Sequence, residues 1–303
     1  SMKMAEGSKK APSSAAAFCS GAIAGALAKT TIAPLDRTKI YFQVSQTHRY
    51  SVKAALSFIR ATYQKDGFLA LYRGNSATLA RVMPYAGFQF AAYEQFKYLL
   101  AVDVGEKTPG KRFLAGSLAG LVATSLVYPL DTAKARLSIS NKSEYSGLVN
   151  VIVKSYRTEG PLALYRGIWP SLIGVAMYGG LAFYTVDTLK LMYKEKFGSA
   201  PSSLYAGLFG STGSVIGQSC SYPLDIVRRR MQTGKAPSGM GVLAFLLHIA
   251  REEGIRALFK GLSMNWFKGP VAAGISFATY DLTFPYLSSF EHTMKSRIVK
   301  PFH

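Results

Sequence analysis

The sequence predicts an all-α membrane protein made of three repeats, each with two spanning helices joined by a short amphipathic one. Three observations carry this. Residues 113–130, 167–186 and 203–224 contain no Asp, Glu, Lys or Arg, and a helix that crosses a bilayer needs about 20 largely apolar residues. Pro-Leu-Asp recurs at Pro34, Pro129 and Pro223, 95 and 94 residues apart, each time with a cation three residues after the Asp. Each signature has a companion downstream: Asp66-Gly67 with Tyr72-Arg73-Gly74, Glu159-Gly160 with Tyr165-Arg166-Gly167, and Glu253-Gly254 with Phe259-Lys260-Gly261. Self-similarity at a fixed period marks a repeat architecture.

Composition agrees. Of 303 residues 49% are hydrophobic and only 17% charged, with a net charge of +20. That is too apolar for a disordered chain and too poor in charges of both signs for a soluble enzyme surface. The positive excess suits nucleic acid, anionic lipid or an anionic substrate. The cations sit between apolar runs, not along a continuous polar face, which argues against nucleic acid. Cys19 and Cys220 are too few for a disulfide framework, and their apolar surroundings predict a packing role.

In chain order, Ala11 to Ala28 is uncharged up to Lys29 and continues through Pro34, giving a first span near 15–43. The others fall near 76–99, 110–138, 170–194, 203–232 and 264–290, the last containing the uncharged Gly269 to Tyr280. Three repeats, 12–103, 104–199 and 200–291, follow a disordered tail (1–11, with Ser1-Met2 an added leader) and precede a basic tail (292–303). Small residues lie thirteen and nine positions before each signature Pro: Gly21 and Gly25, Gly116 and Gly120, Gly210 and Ser214. Such spacing lets neighbouring backbones approach closely in lipid. A Pro inside a helix removes a hydrogen bond and kinks it, so three equivalent kinks draw three helix ends together.

The triplicated Pro-x-Asp-x-x-Lys/Arg, acidic-Gly and aromatic-basic-Gly pattern resembles the mitochondrial carrier family over residues 12–291. The resemblance implies six tilted transmembrane helices in three pseudo-threefold repeats plus three short amphipathic matrix helices, around a central cavity. It also implies a monomer, multi-pass in the mitochondrial inner membrane, with both termini on the intermembrane-space side. Asp and cation three residues apart share one helix face. Converging helices then pair Asp36 with Lys134, Asp131 with Arg228 and Asp225 with Lys39, closing a matrix gate; the alternative is intrahelical pairing or solvated helix ends. A gate must open in every cycle, and paired charges suit that because desolvation offsets much of their attraction. A second set lies at the ends of the even helices: Glu94 with Lys97, Asp187 with Lys190, and Asp281. The family places a cation where Phe284 stands, so this cytoplasmic gate is short of at least one pair. The family's brace position, two residues after each signature cation, holds Tyr41, Arg136 and Arg230; a tyrosine brace is expected in repeat 1, and the arginines are left open.

Charges inside spans that no gate uses are functional candidates. These are Lys29, Arg81 and Lys268, with Arg229 and Arg230 just past the third signature. Lys29 has the alternative of snorkelling to an interface, and Arg230 that of a structural role. Uncompensated cations call for a polyanion, and Arg suits bidentate phosphate contact. The resemblance places substrate contacts at Arg81, the Gly174-Val175 pair and Lys268. Gly followed by an aliphatic residue resembles the adenine-nucleotide-type carriers, since Gly174 bares backbone polar groups beside a flat Val175 face, and Tyr178 one turn later can stack on a purine. The plainer alternative is Gly174 for helix packing and Val175 for lipid.

Segments 33–45, 72–90 and 261–282 resemble the coenzyme A-carrying branch, with Lys268 where ADP/ATP carriers have arginine. The implied function is exchange of coenzyme A and adenosine 3′,5′-diphosphate for adenine nucleotides by alternating access. The alternatives are an ATP-Mg/phosphate or ADP/ATP type carrier, or a proton-leak or structural membrane protein with no exchange activity. Coenzyme A carries about four negative charges, and moving one costs ~2.3 kcal/mol per 100 mV. Uncompensated import would cost roughly 9 kcal/mol per 100 mV, which favours exchange. Gly74, Gly167 and Gly261 place helix N-termini at the membrane surface, where phosphate binds well; the resemblance makes that lipid cardiolipin.

Nothing indicates an enzyme. His48, His248, His292 and His303 are scattered without metal-ligand spacing, no Gly-rich phosphate loop occurs, and no cofactor is implied.

Overall fold

The computed structural model describes residues 14–101, 109–141, 143–237 and 239–298. Those residues contain ten α-helices, three 3₁₀ turns and no strand. Repeat 1 supplies α1 (Ser14–Thr31), α2 (Ala33–Val44), α3 (Val52–Asp66) and α4 (Asn75–Leu99). Repeat 2 supplies α5 (Pro109–Ile139), α6 (Leu148–Glu159) and α7 (Ile168–Phe197), and repeat 3 supplies α8 (Ser203–Gln232), α9 (Val242–Glu252) and α10 (Leu262–Ile298). The chain divides into a larger unit, Ala33–Phe267, and a smaller one holding α1 and the chain from Lys268 onward.

Six long helical stretches stand where six spans are expected, with one difference of substance. The first is split at Ile32, and Pro34 falls in the first turn of α2, where a missing N–H costs nothing. α5 and α8 run unbroken through Pro129 and Pro223. By length and composition alone, two helical stretches among the described residues are apolar enough to cross a membrane, Gly110–Ile139 and Pro161–Phe197. The others carry charges such as Arg81 or hydroxyl runs such as Ser219 and Ser221. α10 continues helical through Ile298, past the expected start of the tail at 292; residues 1–13 lie outside the described residues.

In the larger unit α4 packs along α5, and α7 along α8. The small-residue positions singled out by recurrence do not make these contacts. A Cβ added at Gly21, Gly25, Gly116, Gly120 or Gly210 would meet nothing within 4 Å. The close approach is at Gly213 and Gly217 of α8, where a Cβ would lie 2.7 Å from the Ala182 and Tyr178 carbonyl oxygens of α7. Three-fold recurrence finds positions under a common constraint but not the helix face in contact. The cysteines differ too: Cys19 and Cys220 are exposed, because their helical phase turns them outward.

The short helices α3, α6 and α9 lay one apolar face on the signature helices. Phe245 and Ile249 of α9 are buried with Tyr222, Ile226 and Val227 of α8, and Val151 of α6 with Ala133 and Leu137 of α5. α3 starts at Ser51, whose hydroxyl accepts from the Ala54 N–H at 3.0 Å, a side-chain N-cap.

Candidate functional site: three ion pairs where the signature helices meet

α2, α5 and α8 contact one another in the larger unit, which brings the three signatures together. Lys134 Nζ lies 2.8 Å from Asp36 Oδ2, Arg228 Nη2 2.9 Å from Asp131 Oδ2, and Lys39 Nζ 2.9 Å from Asp225 Oδ2. Each Asp takes the cation of the next repeat, and repeat 3 returns to repeat 1. The three pairs are those the spacing predicts. Lys39 and Arg228 also lie over the rings of Tyr222 and Tyr128, 5.1 and 5.6 Å from the centroids, which adds a modest cation–π attraction.

The brace is not Tyr41. Gln43 Nε2 donates to Asp225 Oδ2 at 2.9 Å and to the Tyr222 hydroxyl at 3.2 Å. Tyr41 instead stacks on Phe58, ring centroids 4.2 Å apart. The sequence carries the signal for this. Gln43 follows Lys39 by four residues and so shares its face, whereas two residues on points elsewhere; Gln232 holds the matching place in repeat 3.

Arg136 and Arg230 belong to a second ring, next to the short helices. Arg136 Nε donates to the Gln232 carbonyl and Arg230 Nε to the Gln43 carbonyl, both at 3.1 Å. In repeat 1, Arg37 Nε does the same to the Ser138 carbonyl, also at 3.1 Å, from one helical turn earlier. Arg136 grips Glu159 with both terminal nitrogens, and Arg230 grips Glu253 likewise. Each carboxylate takes a second cation, Arg166 on Glu159 and Lys260 on Glu253. The hydrogen bond from Arg136 pulls the Glu159 carboxyl below its ordinary range, aided by the charges of Arg136 and Arg166 against a burial penalty. Burial pushes Glu253 up, but the bonds and charges of Arg230 and Lys260 outweigh it and hold it low. Arg230 is fully buried, so it is a structural clamp.

Gly74, Gly167 and Gly261 have φ of 88°, 83° and 84°, the left-handed region that glycine alone enters freely. Each also meets the next signature helix: a Cβ would lie 3.1 Å from the Lys134 carbonyl oxygen at Gly74 and 2.9 Å from that of Arg228 at Gly167. At Gly261 it would lie 3.4 Å from Lys39 Cγ of α2, and 3.2 Å from the Tyr222 hydroxyl of its own repeat's α8. These glycines therefore let the even helices begin against the ion-pair ring.

The remaining candidates divide. Arg81 of α4 reaches Asp131, Nε to Oδ1 3.2 Å, and lies over the Tyr85 ring. Arg229 Nη1 donates to Gln232 Oε1 at 3.0 Å, with its Nε 4.0 Å from Asp225 Oδ1, so it leans on the ion-pair ring. A Cβ at Gly174 would meet Leu224 of α8 at 3.7 Å, ordinary helix packing, with Val175 half-buried and Tyr178 40% exposed. Lys29 (exposed) and Lys268 (half-buried) belong to the smaller unit. Of the second charge set, Lys97 pairs with Glu94 of its own helix at 3.0 Å. Among the described residues Asp187 and Lys190 form no ion pair, and Asp281 is exposed. Phe284 stacks on Tyr280 with 5.4 Å between centroids. No group of three metal-ligating side chains gathers among the described residues.

The same three segments that carry the signatures each match the family described as mitochondrial carrier protein, at residues 10–103, 105–197 and 199–290. The chain belongs to the mitochondrial carrier family. This carrier is a transporter and not an enzyme. It is 51% identical over 294 residues to the zebrafish (Danio rerio) mitochondrial coenzyme A transporter SLC25A42, covering 94% of this chain and 91% of that protein. The Xenopus laevis protein of that name is 50% identical over 288 residues (92% and 88% covered), and the human one 49% over 271 (87% and 85%).

Proposed function

We propose that this carrier is a multi-pass protein of the mitochondrial inner membrane that exchanges coenzyme A and adenosine 3′,5′-diphosphate for adenine nucleotides by alternating access. The observation that carries the mechanism is the cyclic ring of three ion pairs, Asp36–Lys134, Asp131–Arg228 and Asp225–Lys39. Such a ring closes the matrix side in one state and must open in the other. Glu94 and Lys97, Asp187 and Lys190, and Asp281 then form the opposing cytoplasmic gate, open while the matrix ring is closed. Identity near 50% to proteins named coenzyme A transporters supports the substrate. Arg81 and Arg229 would meet phosphates, Gly174, Val175 and Tyr178 the purine. Lys29 and Lys268 are carried as further phosphate contacts on their sequence positions alone. The three repeats, 12–103, 104–199 and 200–291, act in a monomer, and cardiolipin phosphates sit at the helix starts after Gly74, Gly167 and Gly261, since a helix N-terminus favours anions.

The deciding experiment is uptake of labelled coenzyme A into proteoliposomes loaded with ADP, beside empty ones, with adenosine 3′,5′-diphosphate, ATP-Mg and phosphate as competitors. Uptake that requires internal nucleotide and yields to adenosine 3′,5′-diphosphate is the expected result. Uptake into empty vesicles would overturn exchange, and preferential competition by ATP-Mg or phosphate would overturn the substrate.

A further inference from the structure

Repeat 1 builds the same clamp as repeats 2 and 3 but lacks its acid. Arg37, Arg136 and Arg230 each donate through Nε to a carbonyl nine residues past a signature Pro, those of Ser138, Gln232 and Gln43, so their guanidinium groups hold equivalent places. Arg136 and Arg230 then close on Glu159 and Glu253. Arg37 has no such acid: its Nη1 goes to the Ala70 carbonyl, and α3 ends in Asp66, one methylene shorter than a glutamate. Where the carboxylate is missing there is a cavity of about 90 Å³ lined by Arg37, Asp66, Ala70, Arg73, Ser140 and Asn141. Arg37 is buried. Arg73 bonds through Nη2 to Ser140 Oγ and to the Asn141 and Tyr145 carbonyls, while its Nε is buried without a hydrogen-bond partner among the described residues. Burial holds the Arg73 guanidinium below its ordinary pKa, against the pull of the Asp66 and Glu144 charges. Buried polar groups are nearly always bonded, so such an orphan needs a cause.

We infer that this cavity is a binding site for inorganic phosphate, which takes the place between Arg37 and Arg73 that a glutamate holds in repeats 2 and 3. Its size is a few times the share of one water in the liquid, about 30 Å³: room for a tetrahedral oxyanion and not for a nucleotide. Two guanidinium groups supply the forked donors that phosphate oxygens accept in pairs. The Ser140 hydroxyl, which donates only at 3.4 Å to the Leu137 carbonyl, is a third donor. Asp66 selects among anions. Near neutral pH inorganic phosphate keeps a P–OH, which donates to the Asp66 carboxylate. Sulfate and the phosphodiester of a lipid headgroup have no such proton and would set an oxygen against that carboxylate. Bound phosphate ties α2 and α3 to the end of α5, so the junction of repeats 1 and 2 has its clamp only when phosphate is present.

The test is thermal unfolding of the detergent-purified full chain, free of coenzyme A and nucleotide, in phosphate or in sulfate at equal ionic strength. Equilibrium dialysis with radiolabelled phosphate counts the bound ions. Both salts strengthen apolar burial in general, so only the difference between them matters. Wild type is expected to melt about 2–4 °C higher in ~10 mM phosphate than in sulfate. Asp66→Glu supplies the longer carboxylate of the other repeats. It should melt higher than wild type without phosphate, bind one phosphate fewer per chain, and gain nothing from phosphate over sulfate. Asp66→Asn keeps both arginines but loses the acceptor for the P–OH, so its preference for phosphate over sulfate should vanish. A phosphate effect absent from wild type, or equal in wild type and Asp66→Glu, overturns the inference. Should Asp66→Glu fail to fold, Asp66→Asn decides by itself, and an unchanged preference for phosphate overturns the inference. Added cardiolipin is the third arm: protection by the lipid that Asp66→Glu abolishes, with phosphate inert, assigns the cavity to a lipid headgroup and overturns it as well.

Discussion

In repeats 2 and 3 the glutamate that ends or caps the short helix takes two cations, Arg136 and Arg166 on Glu159, Arg230 and Lys260 on Glu253. In repeat 1 the corresponding carboxylate, Asp66, forms no ion pair among the described residues, and its charge acts on Arg37 and Arg73 only from a distance. Tyr41 occupies the arginine's place and stacks on Phe58, while Arg73 turns to Ser140 and to the carbonyls of Asn141 and Tyr145. Tyr222 ties its hydroxyl to the Lys260 carbonyl at 2.8 Å and Tyr128 to that of Arg166 at 3.2 Å, but repeat 1 has Ala33 at this position. Its signature helix is also the only broken one of the three. Repeat 1 thus holds its short helix by aromatic stacking and backbone contacts, and repeats 2 and 3 by charge. The interlock between repeats survives because Arg37 supplies, from one turn earlier, the bond that Arg136 and Arg230 supply elsewhere. A repeat can lose a residue and keep its link when another side chain reaches the same carbonyl.

The sharpest way to break the comparison is to remove the carboxylates. Glu253→Ala leaves Arg230 as a buried charge without its partner, which costs about 3–5 kcal/mol, whereas Asp66→Ala stays within about 0.5 kcal/mol. Thermal unfolding in detergent measures both, and equal losses would end the distinction between the repeats. Next come the residues four positions after the signature cations. Gln43→Ala takes away a bond to the charged Asp225 and costs about 1.5–3 kcal/mol. Ser138→Ala costs far less, since that hydroxyl donates within its own helix to the Lys134 carbonyl. Acid should find repeats 2 and 3 first. Glu159 and Glu253 titrate below the usual range when folded, so their contribution is complete above the unfolded value, about 4.3, and is lost as pH falls through the folded one. A pH series of melting temperatures should therefore fall below about pH 4.3 in wild type and fall less in Glu253→Gln. The smallest effect is expected at Tyr41→Phe, within about 0.5 kcal/mol, because the ring does the packing; a larger drop in melting temperature would mean the hydroxyl braces the ion pairs after all.

The ion-pair ring is legible in the amino-acid sequence because its logic is local and repeated. An Asp and a cation three residues apart, found three times, leave few ways to pair once the helices converge. The clamp is half-legible, since Arg136, Arg230, Glu159 and Glu253 recur in register but are 23 residues apart in sequence within each pair. Sequence spacing says nothing about whether such residues meet. The brace lies two residues beyond its expected place at Tyr41, which on a helix is about half a turn. Arg37 carries no signal, because its counterparts in repeats 2 and 3 lie at a different position of the signature. The same gap explains the glycines: recurrence marks Gly210, but contact is at Gly213 and Gly217.

By itself the sequence determined the three repeats, the helices and the partners in the ion-pair ring, because each depends on short-range periodicity multiplied by three. Only the tertiary structure decided which glycines bring helices close, that Gln43 rather than Tyr41 braces Asp225, and that Arg81 stands on Asp131. Those contacts depend on the rotation of each helix about its own axis and on the reach of long side chains between helices. Both are set by packing against neighbours far away in the chain.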